Sequence, residues 1–487
     1  MHGSMFLRFV FIISAMVLQI ASSNVIVEKI EEKVENECNL SEDLINEIRG
    51  YKNVVLKITD HILNGKFKGE VHKSLQTFTD KFGSRMAGSD SLEKSIDYME
   101  ALLKNEGLEN VHTEEAKVPH WIRGFEAASL VLPRKAKIEI LGLGTSVGTP
   151  RGGIIGEVVA VRTFDELRKL PDSEVKGKIV VFAPTWQGYG ATASYRGSGA
   201  TEASKKGAIA ALIRSATPFS IGSPHTGSQT YAQGVRKIPA ACITVEDAEM
   251  ILRMYNEGET VQIRLEMDDY NLEPVTSRNT VSELQGTKSP NKSVVILSGH
   301  LDSWDVGVGA MDDGGGAFIS WKAVKFLKEM GLRPKRTIRS VLWTGEEYGY
   351  YGAKEYQRTH KENEAEEFNF FIESDTGTFD PVGLDFTGNK EAECIFREVL
   401  NLMAPLNATQ FETPADGGPD ISVWLNRGFP GASLLNKNDK YFWFHHTEGD
   451  RMLVEDPDSL DRCVALFAST AYIIADLSVD IPKEIKN

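Results

Sequence analysis

The chain has 487 residues, of which 41% are hydrophobic and 25% are charged, values typical of soluble globular proteins rather than disordered or fibrous ones. At about 150 residues per domain, this length predicts two or three units. With 54 basic residues against 69 acidic ones and a net charge of −15, the chain lacks the concentrated basic surface that phosphate binding requires, so we expect no nucleic-acid partner.

The N-terminus has the pattern of a secretory signal peptide, which we assign to residues 1–23. Arg8 precedes an apolar run, Phe9 to Ile20, and three small residues follow it at 21–23. That run is shorter than the roughly 20 residues needed to cross a bilayer, and no later stretch is long and apolar enough, so we expect no stable membrane span. The predicted location is outside the cell or in the secretory pathway, including the lysosome, endoplasmic reticulum and Golgi.

Four cysteines and three sequons are the candidate sites of covalent modification. The cysteines are too widely spaced for a Cys-type zinc site, and they allow three full pairings that the sequence does not rank. They are Cys38, Cys242, Cys394 and Cys463. The sequons, which would be available for glycan in the secretory pathway, begin at Asn39, Asn291 and Asn407.

Residues 24–60 are charged and helix-prone and carry no motif. They are equally well interpreted as a removable pro-segment or as a pair of packed N-terminal helices. From Glu70 to Leu108 the apolar residues follow a helical period, and a strand is predicted at Ala128 to Leu132. We assign residues 61–144 to the first part of a main domain.

Residues 145–272 are predicted to form a compact α+β module within that domain. A stretch rich in Gly, Ser and Thr near Leu141 precedes it and is typical of a linker. Strands are predicted at Ile154–Val161, Gly177–Phe182, Cys242–Val245 and Val261–Met267, and helices at Ala200–Ser215 and Glu246–Tyr255. The module has no cluster of catalytic residue types, and we therefore interpret it as an insert.

Residues 273–487 alternate between strand and helix patterns, which implies a largely parallel sheet with helices on both faces. The predicted strands are Val294–Ser298, Thr337–Thr344 and Phe368–Ser374, and the predicted helices are Gly315–Met330 and Ala353–His360. A final helix begins after Asp456, with Pro457 at its first position. The predicted fold class is α/β, with a mostly parallel central sheet flanked by helices.

Ligands in open α/β sheets bind beyond the carboxyl ends of the strands, and here each such end carries a metal-ligand residue type. These residues are His300 and Asp302, Asp312, the pair Glu346 and Glu347, Asp375, and the pair His445 and His446. Each short motif alone is typical of a turn, a solvated face or a satisfied core pair. Clusters at successive strand ends favour a binding site instead.

Imidazole nitrogen and carboxylate oxygen are ligands that suit Zn²⁺. Two histidines and three carboxylates can hold two metal ions if one carboxylate bridges them, and Asp312, on a Gly-rich turn, is the predicted bridge. Asp302 lies two residues after His300, and we expect it to accept the other ring N–H of that histidine.

The adjacent residues Glu346 and Glu347 should have different roles. Side chains that leave an extended segment point in opposite directions, so one glutamate should bind metal while the other acts as the general base. The residue pattern does not rank Glu346 against Glu347, and it does not rank His445 against His446.

Several segments resemble those of the co-catalytic zinc peptidases of the aminopeptidase and glutamate carboxypeptidase family. They are GHLDSWDVGVGAMDDGGGAFISW, GLRPKRT, TGEE, FIESDTGTF, PGASLL and FHHTEGD, with PHWIRG and SPHTGSQTY upstream. The resemblance extends from about Glu70 to the end of the chain. It implies a zinc-peptidase domain in which residues 145–272 form an inserted protease-associated-like domain.

This resemblance implies two Zn²⁺ per chain and assigns the candidate residues. His300 and Asp375 would bind one zinc, Glu347 and His446 the other, with Asp312 as the bridge and Glu346 as the general base. It also implies a homodimer, a zymogen with a removable pro-segment, and release of single residues from dipeptides or short peptides. The expected function is that of a secreted zinc metallo-exopeptidase.

Two other functions occur on similar architectures. A receptor-like binding protein is disfavoured because the ligands and base are intact, and a single-zinc acyltransferase of the glutaminyl cyclase type is disfavoured by the insert and the two-metal pattern. The chain departs from the family at one segment. The sequence of a family relative is similar to Thr-Ala-Glu-Glu-Gln-Gly where this chain has TGEEYG at 344–349. That change affects the pocket beside the glutamates, and therefore the preferred substrate side chain.

Overall fold

The computed structural model describes residues 38–288, 293–360 and 368–484. The predicted signal peptide, residues 24–37 and the sequon at Asn291 lie outside them. Two eight-stranded sheets with packed helices make a mixed α/β fold, so the predicted fold class is confirmed. Within the described ranges, no helix combines the length and the apolar character needed to cross a membrane.

The described strands belong to these two sheets. In chain order they are β1 (Glu109–Ile122), β2 (Glu126–Leu132), β3 (Ala136–Ile138), β4 (Ile140–Gly142), β5 (Ile154–Val161), β6 (Ile179–Phe182), β7 (Ala210–Arg214), β8 (Ala240–Ile243), β9 (Gln262–Met267), β10 (Tyr270–Leu284), β11 (Val294–His300), β12 (Thr337–Trp343), β13 (Phe368–Glu373), β14 (Pro381–Thr387), β15 (Gln410–Glu412) and β16 (Gly431–Asn436). The first sheet has the order β1-β10-β12-β11-β13-β16-β14-β15, and the second has the order β3-β2-β9-β5-β6-β7-β8-β4.

The centre of each sheet is parallel. Strands β12, β11, β13 and β16 run parallel in the first sheet, and β5, β6, β7 and β8 in the second. Parallel neighbours bring their carboxyl ends to the same edge, which is where open α/β sheets bind ligands.

Helices cover both faces of the first sheet. In chain order the helices are α1 (Glu42–Gly50), α2 (Lys52–Leu63), α3 (Glu70–Phe82), α4 (Asp90–Asn105), α5 (Phe164–Lys169), α6 (Asp172–Val175), α7 (Tyr189–Lys205), α8 (Val245–Asn256), α9 (Gly315–Glu329), α10 (Tyr351–His360), α11 (Lys390–Asn401), α12 (Ser422–Leu425), α13 (Tyr441–Phe444) and α14 (Pro457–Asp476). Val295 and Leu297 of β11 pack against the layer that contains α3, α9 and α14. Ile296 between them packs in the opposite layer, with α10 and α12, as the period of two in a strand requires.

The second sheet begins earlier in the chain than expected. We assigned residues 61–144 to the main domain, but β2, β3 and β4, within residues 126–142, pair in the second sheet. The chain crosses between the sheets after β1 and again before β10. These two strands pair antiparallel along most of their length, so the two crossings lie side by side.

The helix predicted at Ala200–Ser215 is wrong in its second half. The structure has α7 ending at Lys205, Gly207 with a φ of 81°, and then strand β7 from Ala210 to Arg214. Every residue of β7 is buried because it lies between β6 and β8. A buried parallel strand is apolar on both faces, and its sequence therefore does not differ in period from a buried helix.

The first two helices belong to the packed core. Ile48 of α1, together with Val55 and Ile58 of α2, is fully buried. Contacts with α14 hold α2 in place, and α1 contacts α11. The described part of residues 24–60 is therefore helical and packed, while the assignment of this segment as pro-segment or N-terminal helices stays a prediction.

One disulfide joins this N-terminal region to the rest of the chain. Cys38 is bonded to Cys394 of α11 across a sequence separation of 356 residues. Cys242 and Cys463 are free and buried. This arrangement settles the pairing that the sequence left open.

Loss of the disulfide should lower the free energy of unfolding by about 2–4 kcal/mol, because the bond restricts the unfolded chain over a long loop. We expect Cys38→Ser and Cys394→Ser to have similar effects, with no large additional loss in the double variant. Denaturant unfolding without reductant measures this difference. Equal stability of the parent and the double variant would contradict the expectation.

Candidate metal centre

All the predicted metal ligands meet at the carboxyl edge of the first sheet. His300 ends β11, Glu346 and Glu347 follow β12, Asp375 follows β13, Asp312 lies in the turn before α9, and His445 and His446 follow α13. Because β11 lies between β12 and β13 and runs parallel to both, three of these segments leave the sheet side by side. The topology explains why residues far apart in sequence form one cluster.

One group of side chains surrounds His300. Its Nε2 atom lies 3.2 Å from Oδ1 of Asp375 and 3.4 Å from Oδ1 of Asp312. The three ligand atoms of this group all lie within 4.8 Å of one another. Burial of all three residues limits competition from solvent.

A second group surrounds His446. Its Nε2 atom lies 3.1 Å from Oε2 of Glu347 and 3.2 Å from Oδ2 of Asp312. The Nε2 atom of His445 also lies 3.5 Å from the same oxygen of Asp312, and its ring stacks on His446 with a centroid distance of 3.5 Å. The two oxygens of Asp312 thus face different groups.

Glu346 and Glu347 point to different groups. Oε2 of Glu346 lies 3.7 Å from Nε2 of His300, whereas Glu347 contacts His446. Both side chains border the cleft, but that of Glu346 is 12% exposed whereas that of Glu347 is 3% exposed. Glu346 is therefore the more accessible of the two to a reacting molecule.

The cluster contains more negative charge than its own histidines neutralise. Burial raises the pKa of Glu347 to about 7, and burial together with Asp375 raises the pKa of Glu346 well above its usual value. Although burial opposes it, the carboxylate of Glu347 raises the pKa of His446 to about 10. Oε1 of Glu347 is buried and accepts no hydrogen bond from any described residue. Divalent cations would relieve this excess, and the nitrogen and oxygen donors fit zinc.

Backbone N–H groups hold the turn that carries Asp312. Oδ1 of Asp450 accepts the N–H groups of Ala310 at 2.9 Å and Met311 at 2.8 Å, and its Oδ2 accepts that of Asp312 at 3.1 Å. The sequence interpretation missed Asp450, although it lies four residues after His446 within the segment FHHTEGD. Asp313 acts similarly, since Oδ2 of its carboxylate accepts the N–H of His300 at 3.0 Å.

Asp302 differs from the expectation. Its backbone carbonyl lies 2.9 Å from Nδ1 of His300, whereas the nearest oxygen of its carboxylate is 3.8 Å away. That carboxylate accepts the backbone N–H groups of Glu346 at 3.2 Å and Glu347 at 3.4 Å. Asp302 therefore orients the histidine through its backbone and both glutamates through its side chain.

The second sheet's part of the chain positions the histidine pair. The N–H of Thr226 donates to the carbonyl of His446 at 3.0 Å, and the carbonyl of Thr226 lies 3.0 Å from Nδ1 of His446. Nδ1 of His225 lies 2.7 Å from the carbonyl of His445. His446 has a φ of 61°, a conformation uncommon outside glycine, and these contacts hold it there.

A cleft of about 620 Å³ opens over the cluster. Its lining includes Asp312, Glu346, Asp375 and His446 from the first sheet's side, and Tyr189 and Arg196 from α7 on the second sheet's side. A molecule bound there would contact both parts of the chain.

Replacement of Asp450 by Asn should loosen the Asp312 turn, because the amide keeps one acceptor oxygen and turns an N–H donor towards backbone N–H groups. We expect the free energy of unfolding to fall by about 1.5–3 kcal/mol, as for hydrogen bonds to a charged group. The measurement belongs at pH 8, above the pKa of about 7 to which burial raises Asp450.

The matched control is Asp439→Asn, which makes the same change at an exposed residue. Equal losses of stability in the two variants would contradict a special role for Asp450.

Known proteins match the chain over nearly its whole length. Carboxypeptidase Q of Xenopus laevis is 50% identical over 437 residues, which are 90% of this chain and 92% of that protein. The crystal structure of a peptidase M28 precursor from Shewanella amazonensis SB2B has a TM-score of 0.85 at 31% identity, covering 90% of this chain and 100% of that one.

Structural similarity extends further than sequence similarity. A zinc aminopeptidase from Bacillus subtilis has a TM-score of 0.66 at 17% identity, covers 86% of this chain and 99% of its own, and shows a common fold. The model of peptidase family M28 matches residues 279–471, which contain every predicted metal ligand. The resemblance expected from the sequence motifs is thereby confirmed, and the chain belongs to peptidase family M28.

Proposed function

We propose that the chain is a secreted exopeptidase that uses two zinc ions to hydrolyse dipeptides or short peptides. Membership of peptidase family M28 makes it a metallopeptidase, and similar proteins carry the name carboxypeptidase. The position of Asp312 carries the two-metal assignment, because its oxygens face His300 on one side and His446 on the other.

In this proposal Asp312 would be shared by two zinc ions. His300 and Asp375 would help to hold one ion, and Glu347 and His446 the other. Zinc bound there would lower the pKa of a water molecule and polarise the scissile carbonyl group. The carbonyl oxygens of Asp302 and Thr226 accept the Nδ1–H groups of the two histidines, which leaves each Nε2 free to bind metal.

Glu346 is the proposed general base. Its side chain borders the cleft and lies beside His300 of the first group. It is Glu347 that contacts His446 of the second group. The carboxylate takes a proton from the attacking water and passes it to the departing amine nitrogen. Both transfers need a carboxylate that the reacting molecule can reach, and the greater exposure of Glu346, 12% against 3%, favours it over Glu347.

Other features of the chain support a place in the secretory pathway. A disulfide such as Cys38–Cys394 is stable in oxidising compartments. Two sequon asparagines, Asn39 and Asn407, are exposed to solvent, as glycosylation requires. Secretion, glycosylation, a homodimer and a removable pro-segment stay predictions.

Purified protein should contain about two zinc ions per chain, as the bridging role of Asp312 requires. Removal of metal with a chelator should abolish dipeptide hydrolysis, and added zinc should restore it. Metal analysis alongside activity provides the measurement. A count near one with full peptidase activity would exclude the bridge, and two bound ions without hydrolysis would favour a receptor-like protein.

Glu346→Gln should retain both zinc ions but lose turnover by at least about a hundredfold, because the amide preserves the side-chain shape and removes the proton acceptor. The same substitution at the exposed residue Glu412, in edge strand β15, is the control and should leave turnover unchanged. Near-normal turnover in Glu346→Gln would rule this residue out as the base.

A further inference from the structure

We infer that Arg123 is a positioning residue, which holds Thr226 where the backbone of that threonine orients His446. The inference rests on the proposed two-zinc function and concerns a residue that acts through another one rather than on the substrate. Arg123 lies in the segment PHWIRG and Thr226 in SPHTGSQTY, two motifs that contribute no proposed metal ligand. The fold brings both segments together beside the metal centre.

Thr226 lies in a long irregular loop. Residues 215–239, all of them described, form neither helix nor strand between β7 and β8. Connections of this length without secondary structure are uncommon and are usually functional. The backbone of Thr226 nevertheless makes two contacts of 3.0 Å with His446, one through its N–H and one through its carbonyl. Such a loop can orient a metal ligand only if other contacts fix its own position.

Backbone hydrogen bonds tie this loop to the second sheet's part of the chain. The N–H of Gly144 donates to the carbonyl of Gly227 at 3.0 Å, and the N–H of Gln229 donates to the carbonyl of Gly144 at 3.2 Å. These bonds do not set the position of the loop against the first sheet, which carries His300 and Asp312. A contact that reaches the first sheet's part of the chain is needed for that.

Arg123 makes this contact. Its Nη2 donates to Oγ1 of Thr226 at 3.3 Å, and that hydroxyl donates to the carbonyl of Gly142 at 2.7 Å. Nε and Nη2 of Arg123 also form a bidentate pair with the carboxylate of Asp305, at 2.7 and 2.8 Å. Asp305 lies five residues after His300. One guanidinium group therefore connects the segment that follows a ligand of the first group to the residue that orients a ligand of the second.

Burial and charge fix the geometry of this connection. The side chain of Arg123 is 12% exposed, and that of Glu126, 3.1 Å from Nη1, is 7% exposed. The carbonyl of Gly142, Glu126, Asp305 and Thr226 together offer an acceptor to each of the five guanidinium N–H groups. Although burial opposes it, the hydrogen bond with Asp305 raises the pKa of Arg123 above its usual value, so the charge persists. A bidentate guanidinium pair has a defined geometry that a lysine would not provide.

Zinc titration of the metal-free full chain tests this role, in a parent protein that binds two ions. Arg123→Gln removes the charge and most of the donors. We expect it to weaken zinc binding at the site of Glu347 and His446 about 10- to 100-fold, as for other residues that orient metal ligands. The site of His300 and Asp375 should keep its affinity. Excess zinc should restore dipeptide turnover, because the ligands themselves are unchanged.

Thr226→Val isolates the connection itself, because valine keeps the side-chain shape and the backbone but lacks the hydroxyl that Arg123 holds. We expect zinc binding at the same site to weaken about tenfold. The double variant with Arg123→Gln should lose little more, since both substitutions break one connection. His446→Gln, which removes the ligand itself, identifies the affected ion, and in that background neither substitution should weaken zinc binding further.

Arg339→Gln is the matched control. The side chain of Arg339 is 10% exposed and pairs with Glu283, which is 6% exposed, so burial and charge resemble those of Arg123 and Glu126. Arg339 lies in the middle of β12. Its replacement should lower stability without changing the affinity for either zinc ion.

Parent-like zinc binding in Arg123→Gln or in Thr226→Val would overturn the inference. Equal weakening of both sites, or an equal effect of Arg339→Gln, would also overturn it, because either result indicates a general loss of stability. If Arg123→Gln does not fold, Thr226→Val decides between these outcomes. A parent that binds fewer than two zinc ions would instead contradict the proposed function, whatever the variants do.

Discussion

The proposed metal centre depends on one carboxylate that lies between its two groups of side chains. Because the two oxygens of Asp312 face different imidazoles, the position of this side chain determines the separation of the two groups. Asp450 holds the turn of Asp312 through three backbone N–H groups. The turn is thus held by uncharged backbone N–H groups. A lysine or arginine beside it would instead compete with a metal ion for the carboxylate of Asp312.

The buried carboxylates of the site divide by what they contact. Asp302, Asp313 and Asp450 each accept two or more backbone N–H groups, which offset part of the cost of burying their negative charge. Asp312 and Glu347 instead contact imidazole nitrogens, and no described backbone N–H donates to either. A carboxylate left without such donors keeps its charge most readily beside a cation, so this division agrees with the proposed roles of Asp312 and Glu347 as metal ligands.

The sequence predicted the place of the site better than its contacts. Ligand residues at the ends of β11, β12 and β13 had to converge, because parallel neighbours end at one edge. The carboxylate of Asp302 was expected beside His300, but the local backbone brings its carbonyl there instead. Residue types do not determine such a choice, which depends on backbone angles at a strand end. Strand β2 was predicted at Ala128–Leu132 but assigned to the main domain, because its sequence does not say which sheet it joins. Strand β7 was missed for another reason: a fully buried strand has no period of its own.

The second sheet shows how a functional contribution can escape a search by residue type. Residues 145–272 contain no cluster of catalytic side chains, so we interpreted them as an insert. Yet the backbone of Thr226 contacts His446 through both its N–H and its carbonyl. Any residue except proline has these two groups, so the type of residue at this position does not predict the contact. With the ring nitrogen of His446 held by Thr226, the orientation of one predicted metal ligand depends on the packing of the two sheets. The metal centre is therefore a product of both parts of the chain, although every predicted metal ligand comes from one of them.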